Sequence, residues 1–249
     1  MKTLGIIGGL GPMATVYYMQ LIVQMTKAET DQQHLEMIVM NSPSVPDRTA
    51  YILDKSKPSP LPPIMALAKR LEELGAGCLA IPCITSHYFY REFSESVNIP
   101  FLNIVAETAK HLKQNGIQKA GILATLGTVR TKLFQDALQE QGIEAVVPDE
   151  KHQAMVMSLI YDFIKAGKKP DLTLFHQAAC HLQEKGAQCS ILGCTELSLL
   201  KRDFPIGDGF LDAVEVLAKA SILACHAPLR EEYTCLISGK QRNDKLLSE

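Results

Sequence analysis

The sequence predicts an α/β protein of two similar lobes, each a parallel sheet flanked by helices. A pseudo-two-fold axis relates the lobes, with the active site in the cleft between them. Two observations carry this expectation. Short apolar runs alternate with amphipathic segments from the first residue, the pattern of parallel strands joined by crossover helices. The two halves of the chain then repeat one another. With 249 residues, 47% apolar and 21% charged, the chain has ample material for a buried core.

The strands come first. Thr3 to Ile7, Glu36 to Met40, Cys78 to Ile81 and Phe101 to Asn103 are short, apolar and spaced by longer segments. Between the second and third, Ile64, Leu67, Ala68, Leu71 and Leu74 recur at helical spacing, and Pro62 and Pro63 suit a helix start.

The repeat is visible in three blocks. Gly5-Ile-Ile-Gly-Gly-Leu-Gly matches Gly121-Ile-Leu-Ala-Thr-Leu-Gly, which sets Thr15 opposite Thr131. The thirteen residues from Leu71 to Cys83 match those from Leu182 to Cys194 with six identities. Phe101-Leu-Asn, then Ala109-Lys110, matches Phe210-Leu-Asp, then Ala218-Lys219. The offsets are 116, 111 and 109, so the order holds with small changes in length. The expected division is a first lobe of residues 1–103 plus about 212–228, a second of about 104–211, and a polar tail at 229–249.

Charge and composition narrow the functional classes. A net charge of −2, from 25 basic and 27 acidic side chains, leaves no electrostatic footprint for nucleic acid. No apolar run approaches the ~18 residues of a membrane span. The segment Met1 to Met13 pairs Lys2 with an apolar stretch, but its four glycines and Pro12 read as strand and loop rather than a signal peptide. The seven cysteines are odd in number and scattered through apolar segments, as reduced thiols of a cytoplasmic protein are. No C-x-x-C occurs; Cys83-x-x-x-His87 and the group His176, Cys180, His181 are the nearest approaches to a metal set. In both places an ordinary core or surface histidine is the expectation. A small polar molecule is the expected partner.

The repeat gives two of the cysteines a special place. Cys83 and Cys194 fall at equivalent positions, each just after a strand and before a helix start. Ligands of open α/β sheets collect at the carboxyl ends of strands. Cys78 and Cys189 also match but lie at strand starts, as core residues; Cys180, Cys225 and Cys235 have no counterpart. Two thiols presented from opposite sides suit the inversion of a stereocentre, which needs a base on one face and an acid on the other. A free thiol titrates near ~8.5. Backbone N–H groups at a helix start are expected to lower that value and favour the thiolate.

With these residues in view, the chain resembles the cofactor-independent aspartate/glutamate racemase superfamily, and within it the aspartate racemase branch. The likeness runs from Met1 to about Cys225. It rests on Lys2-Thr-Leu-Gly-Ile-Ile-Gly-Gly-Leu-Gly-Pro, Asn41-Ser-Pro-Ser-Val-Pro-Asp-Arg-Thr, Pro82-Cys-Ile-Thr-Ser-His and Gly193-Cys-Thr-Glu-Leu. The resemblance implies a cytoplasmic homodimer that uses no pyridoxal phosphate, metal or nucleotide. It implies Cys83 and Cys194 as the two bases. Arg48 and Lys165 match positions that hold the substrate's side-chain carboxylate, for which a bidentate guanidinium and an ammonium are suited. Thr85, Thr125, Thr128 and Thr195 match pocket hydroxyls, and Glu196 stands in the second cysteine motif.

The chain departs from the family pattern after the first cysteine. Ile84 stands where the family has asparagine, so a polar contact to the substrate head is lost. Ser86 replaces the usual alanine and brings a hydroxyl nearby. Two rival readings follow: another isomerase, decarboxylase or hydantoin-type racemase of the superfamily, or a catalytically impaired amino-acid binder. A dinucleotide loop at Gly5 to Gly11 fails on spacing, because G-x-x-G-G-x-G is not G-x-G-x-x-G, and the second strand ends in Asn41 rather than an acid.

Overall fold

The computed structural model describes residues 1–239. Two compact units divide the described residues: Met1–Glu107 with Val214–Thr234, and Thr108–Ala213 with residues 235–239.

The elements run β1 (Leu4–Gly8), α1 (Pro12–Met25), β2 (Met37–Asn41), α2 (Arg48–Leu53), α3 (Leu61–Glu73), β3 (Cys78–Ala80), α4 (Tyr90–Ser94) and α5 (Ile104–Gln114). They continue with β4 (Lys119–Ala124), α6 (Leu126–Arg130), α7 (Leu133–Glu140), β5 (Glu144–Val146), α8 (Glu150–Ser158), α9 (Leu172–Glu184), β6 (Cys189–Gly193), α10 (Thr195–Asp203), β7 (Phe210–Asp212) and α11 (Ala213–Ala224). The first sheet has the order β2-β1-β3 and the second β5-β4-β6-β7. All named strand pairs are parallel.

The register reproduces the sequence repeat residue by residue. Leu4 pairs with Cys78, and Ala120 pairs with Cys189. Those partners are related by the same offsets of 116 and 111 that align the first two blocks. The third block behaves alike: Leu79 bridges Phe101, and Ser190 bridges Phe210. The expected strand from Phe101 to Asn103 shrinks to that single bridge, since Asn103 already accepts from the amides of Val105 and Ala106. Even the hydroxyls correspond: Thr15 donates to the Gly11 carbonyl and Thr131 to that of Gly127.

A glycine sits at the centre of each sheet for one shared reason. A Cβ on Gly5 would stand 2.9 Å from Ala76 Cβ and 3.3 Å from Leu71 Cβ. A Cβ on Gly121 would stand 2.9 Å from Leu182 Cδ1. The helices α3 and α9 thus approach their sheets closely enough to exclude a side chain. Ile64, Ala68 and Leu71 bury the inner face of α3, whereas Leu74, expected on that face, caps the helix and is 56% exposed.

Residues 229–239 do not form the polar tail that the sequence suggested. Leu229 bridges Thr26, and Arg230 donates to the Thr26 carbonyl. Ile237 bridges Leu211, and both Leu236 and Ile237 are buried. Three apolar side chains among the charged ones give this segment something to bury. The tail beyond residue 239 lies outside the described residues. No helix among the described residues is long and apolar enough to cross a membrane.

Candidate active site

In the first unit, Cys83 follows β3 and occupies the N-cap position of a 3-10 helix, Ile84–Phe89. Its side chain is 7% exposed and belongs to the apolar cluster of that unit. Ile84, Thr85 and Ser86 follow on this turn, all buried. The Ser86 hydroxyl has no hydrogen-bond partner among the described residues.

His87 is not a metal partner of Cys83. Its Nδ1 lies 3.2 Å from the Cys83 carbonyl and its Nε2 accepts from the Ile104 amide at 3.4 Å. Burial lowers its pKa to about 4. Nε2 also lies 3.4 Å from the Leu102 carbonyl, so these ring contacts are all to backbone, and His87 braces the peptide carrying the thiol. The i, i+4 spacing from Cys83 was the signal for this contact; its role was not legible.

Arg48 opens α2, which packs against the same turn. Its guanidinium donates to the carbonyls of Leu10, Val45 and Pro46. The residue is 8% exposed, not a solvated surface charge.

In the second unit, Cys194 follows β6 directly and N-caps α10. Its Sγ donates to Glu196 Oε2 at 2.9 Å, and the Thr195 hydroxyl donates to the same oxygen at 3.0 Å. Lys165 Nζ reaches the other oxygen, Oε1, at 2.9 Å. A π-helical turn, Leu159–Ile164, ends at Lys165 and packs against α10, which brings the ammonium to Glu196. Thr125 N-caps α6, and its hydroxyl lies 3.1 Å from that of Thr128; both are buried.

The electrostatics of this end run against expectation. Burial works to raise the Glu196 carboxyl, but the Lys165 charge and the hydrogen bonds from Cys194 and Lys165 outweigh it and hold the group ionised. Burial above all, then the adjacent Glu196 charge, pushes the Cys194 thiol well above its ordinary value, and Lys165 offsets only part of this. The lowered thiol pKa expected from the helix start therefore does not hold at Cys194. A nearby full charge and desolvation exceed a terminal half-charge.

Gln153 was not anticipated. It is buried, and its amide donates to the Ala124 carbonyl at the end of β4, fixing the strand end beside Thr125.

A family model described as Asp/Glu/Hydantoin racemase matches residues 7–221. The chain belongs to the Asp/Glu/Hydantoin racemase family. A solved aspartate racemase from Picrophilus torridus is 30% identical, with a TM-score of 0.81, over 95% of this chain and 99% of that one. An aspartate racemase homologue from Pyrococcus horikoshii is 25% identical, with a TM-score of 0.73, over 90% of this chain and 99% of that one. The broad specificity amino-acid racemase RacX of Bacillus subtilis is 25% identical over 234 residues, 88% of this chain and 96% of its own. Glutamate racemases share the racemase fold more distantly, as with that of Bacillus anthracis at 16% identity and a TM-score of 0.62.

Proposed function

We propose that this family member is an amino-acid racemase that inverts Cα of aspartate by two-base proton transfer between Cys83 and Cys194. The observation that carries the reading is the equivalence of the two thiols. They are related by the offset of 111 that also aligns the strands before them, and each caps a helix at the carboxyl end of a parallel strand.

The reaction balances without an external group. One sulfur, as thiolate, takes the Cα proton and leaves a carbanion at Cα. The other sulfur, as thiol, delivers its proton to the opposite face. The enzyme then returns to its starting form through solvent or by running the reaction backwards. Cys194 begins as the thiol, because its site is buried and Glu196 beside it is ionised. Glu196 acts through Cys194 as a positioning residue. It orients the S–H and makes the resulting thiolate a strong base for the reverse direction. Lys165 keeps Glu196 charged, and Arg48 and Lys165 are the proposed partners of the substrate's side-chain carboxylate. Thr85, Thr125, Thr128, Thr195 and Ser86 are the proposed polar lining.

A second reading concerns breadth of substrate. Ile84 is 1% exposed and apolar beside the first thiol, and one relative is described as a broad specificity enzyme. That combination favours amino acids with less polar demands than aspartate.

Proton NMR in deuterated water tests both readings. With L-aspartate the Cα signal should disappear as deuterium enters, and chiral chromatography should show the D form. Exchange of other amino acids but not aspartate would move the assignment to the broader reading. No exchange with aspartate or with any other amino acid tried would remove racemisation altogether.

A further inference from the structure

We propose that Asp149, His152 and His181 form a binding site for a first-row divalent transition-metal cation of the zinc class. The three residues belong to the second unit and are separate from the racemase residues. One ligand atom of each lies within 4.8 Å of the others.

The local structure prearranges the donors. Asp149 N-caps α8, where its Oδ1 accepts from the His152 amide at 2.9 Å. The same oxygen meets His152 Nδ1 at 2.6 Å, while Oδ2 faces His181 Nε2 at 3.6 Å. Oδ1 is thus hydrogen-bonded to one imidazole, while the Nε2 of the other accepts from the Asp149 amide at 3.4 Å, a contact that an ion would replace. His181 comes from the last turn of α9, and its ring stacks on that of His152 at 4.0 Å with planes 13° apart. Capping places the carboxylate, and the stack brings the two rings together; because the lone pairs of parallel rings do not converge, one ring turns out of the stack to share an ion.

The chemistry of the set selects the ion. Two imidazoles and a carboxylate suit zinc, cobalt or nickel, while calcium and magnesium prefer oxygen ligands throughout. Bonds of about 2.0–2.2 Å to nitrogen and oxygen place neighbouring donors roughly 3–3.5 Å apart, within rotamer-scale movement of what is found here. The backbone N–H of His152, and then its ring, hold the Asp149 carboxyl at about 2, so it is an anion across the working range. The histidine side chains are 18% and 14% exposed, open to an entering ion yet partly shielded from water. Three protein donors leave a further position for water. The ion would clip α8 to α9. It would do so beside a cavity of about 670 Å³ that Asp149 lines together with Leu126, Arg130 and Gln153.

The test uses reduced, chelator-stripped protein titrated with zinc chloride. Calorimetry should show one saturable equivalent, and the imidazole NMR signals of His152 and His181 should shift while that of buried His87 stays. His152→Ala and His181→Ala should each weaken binding by about 100-fold or more, since loss even of an outer partner costs ~10–100-fold. His176→Ala and Cys180→Ser, both on α9, should leave the affinity unchanged. Unaltered binding in the two histidine variants, or loss of it in Cys180→Ser, would overturn the assignment to this trio. The NMR measurement needs no variant, so silence of both rings at saturating zinc overturns it as well.

Discussion

The Cys83 end and the Cys194 end are one scaffold carrying opposite chemistry. Both thiols follow a parallel strand, cap a helical segment and lie at the edge of an apolar cluster. The turn that Cys83 caps carries an isoleucine and an uncharged histidine gripping the backbone. Around Cys194 the neighbours are charged: a buried carboxylate on the sulfur and an ammonium on the carboxylate. The repeat keeps strand register and thiol position, and the side chains around the two thiols differ.

The largest expected effect abolishes that exchange. Cys83→Ser and Cys194→Ser should each eliminate racemisation, because a single thiol cannot serve both faces. Each variant should still exchange the Cα proton of one enantiomer, and the two variants should choose opposite enantiomers. Parental racemisation in either variant, measured by polarimetry, would falsify the two-base scheme.

The next effect tests the asymmetry. In the direction where Cys194 must be the base, its raised pKa means that little thiolate exists near neutrality, and the rate should climb as pH rises. Glu196→Gln removes a charge that raises this pKa and should move the ascending limb of kcat/KM, which reports the base, to lower pH. Lys165→Met removes a charge that lowers it and should move the same limb upward. The opposed shifts are the signature, and shifts of the same sign would discard the network as the cause.

The sheets offer a structural version of the same comparison. Gly5→Ala drives a Cβ to 2.9 Å from Ala76 Cβ, an atom that moves only with its backbone. Gly121→Ala meets Ser190 Oγ at 2.7 Å and Leu182 Cδ1 at 2.9 Å, ends of rotatable side chains, and reaches a backbone-anchored atom, Leu182 Cβ, only at 3.1 Å. Overpacking of this kind costs about 1–3 kcal/mol. Gly5→Ala should fall near the top of that range and Gly121→Ala near the bottom in denaturant titrations. Equal losses would show that both sites yield in the same way.

These contrasts also mark how far the sequence can be read. The sheets were legible because strand pairing in a parallel sheet is set by apolar runs and close-packed glycines, which survive duplication as identities. The positions of the two thiols relative to their strands were legible for the same reason. The Lys165–Glu196 pair was not, because Lys165 is carried by a π-helical turn whose extra residue per turn leaves no periodic signal. His181 was grouped with His176 and Cys180 by proximity in sequence, but its ring turns to α8 and meets His152. Packing between helices chose its partners, and no spacing along one helix encodes that.

The smallest expected effect falls on Ile84, where the chain leaves the family pattern. An amide there could orient the substrate head and steady the charge that develops at Cα, and one well-placed donor is worth ~2.7–4 kcal/mol in turnover. The side chain is only 1% exposed, however, so Ile84→Asn also buries a new amide. A buried amide that finds no steady partner costs ~1–3 kcal/mol. That cost falls on folding and lowers Tm; an amide that realises about 1.4 kcal/mol, roughly half of a well-placed donor, raises aspartate kcat about tenfold. Both forms should be assayed with aspartate and with an apolar amino acid under identical conditions. Gain with aspartate and loss with the apolar substrate would identify position 84 as the point where this chain trades strict recognition for breadth. Loss with both would make Ile84 a packing residue with no part in substrate choice, and the inequality of the two ends would then rest on Glu196 and Lys165 alone.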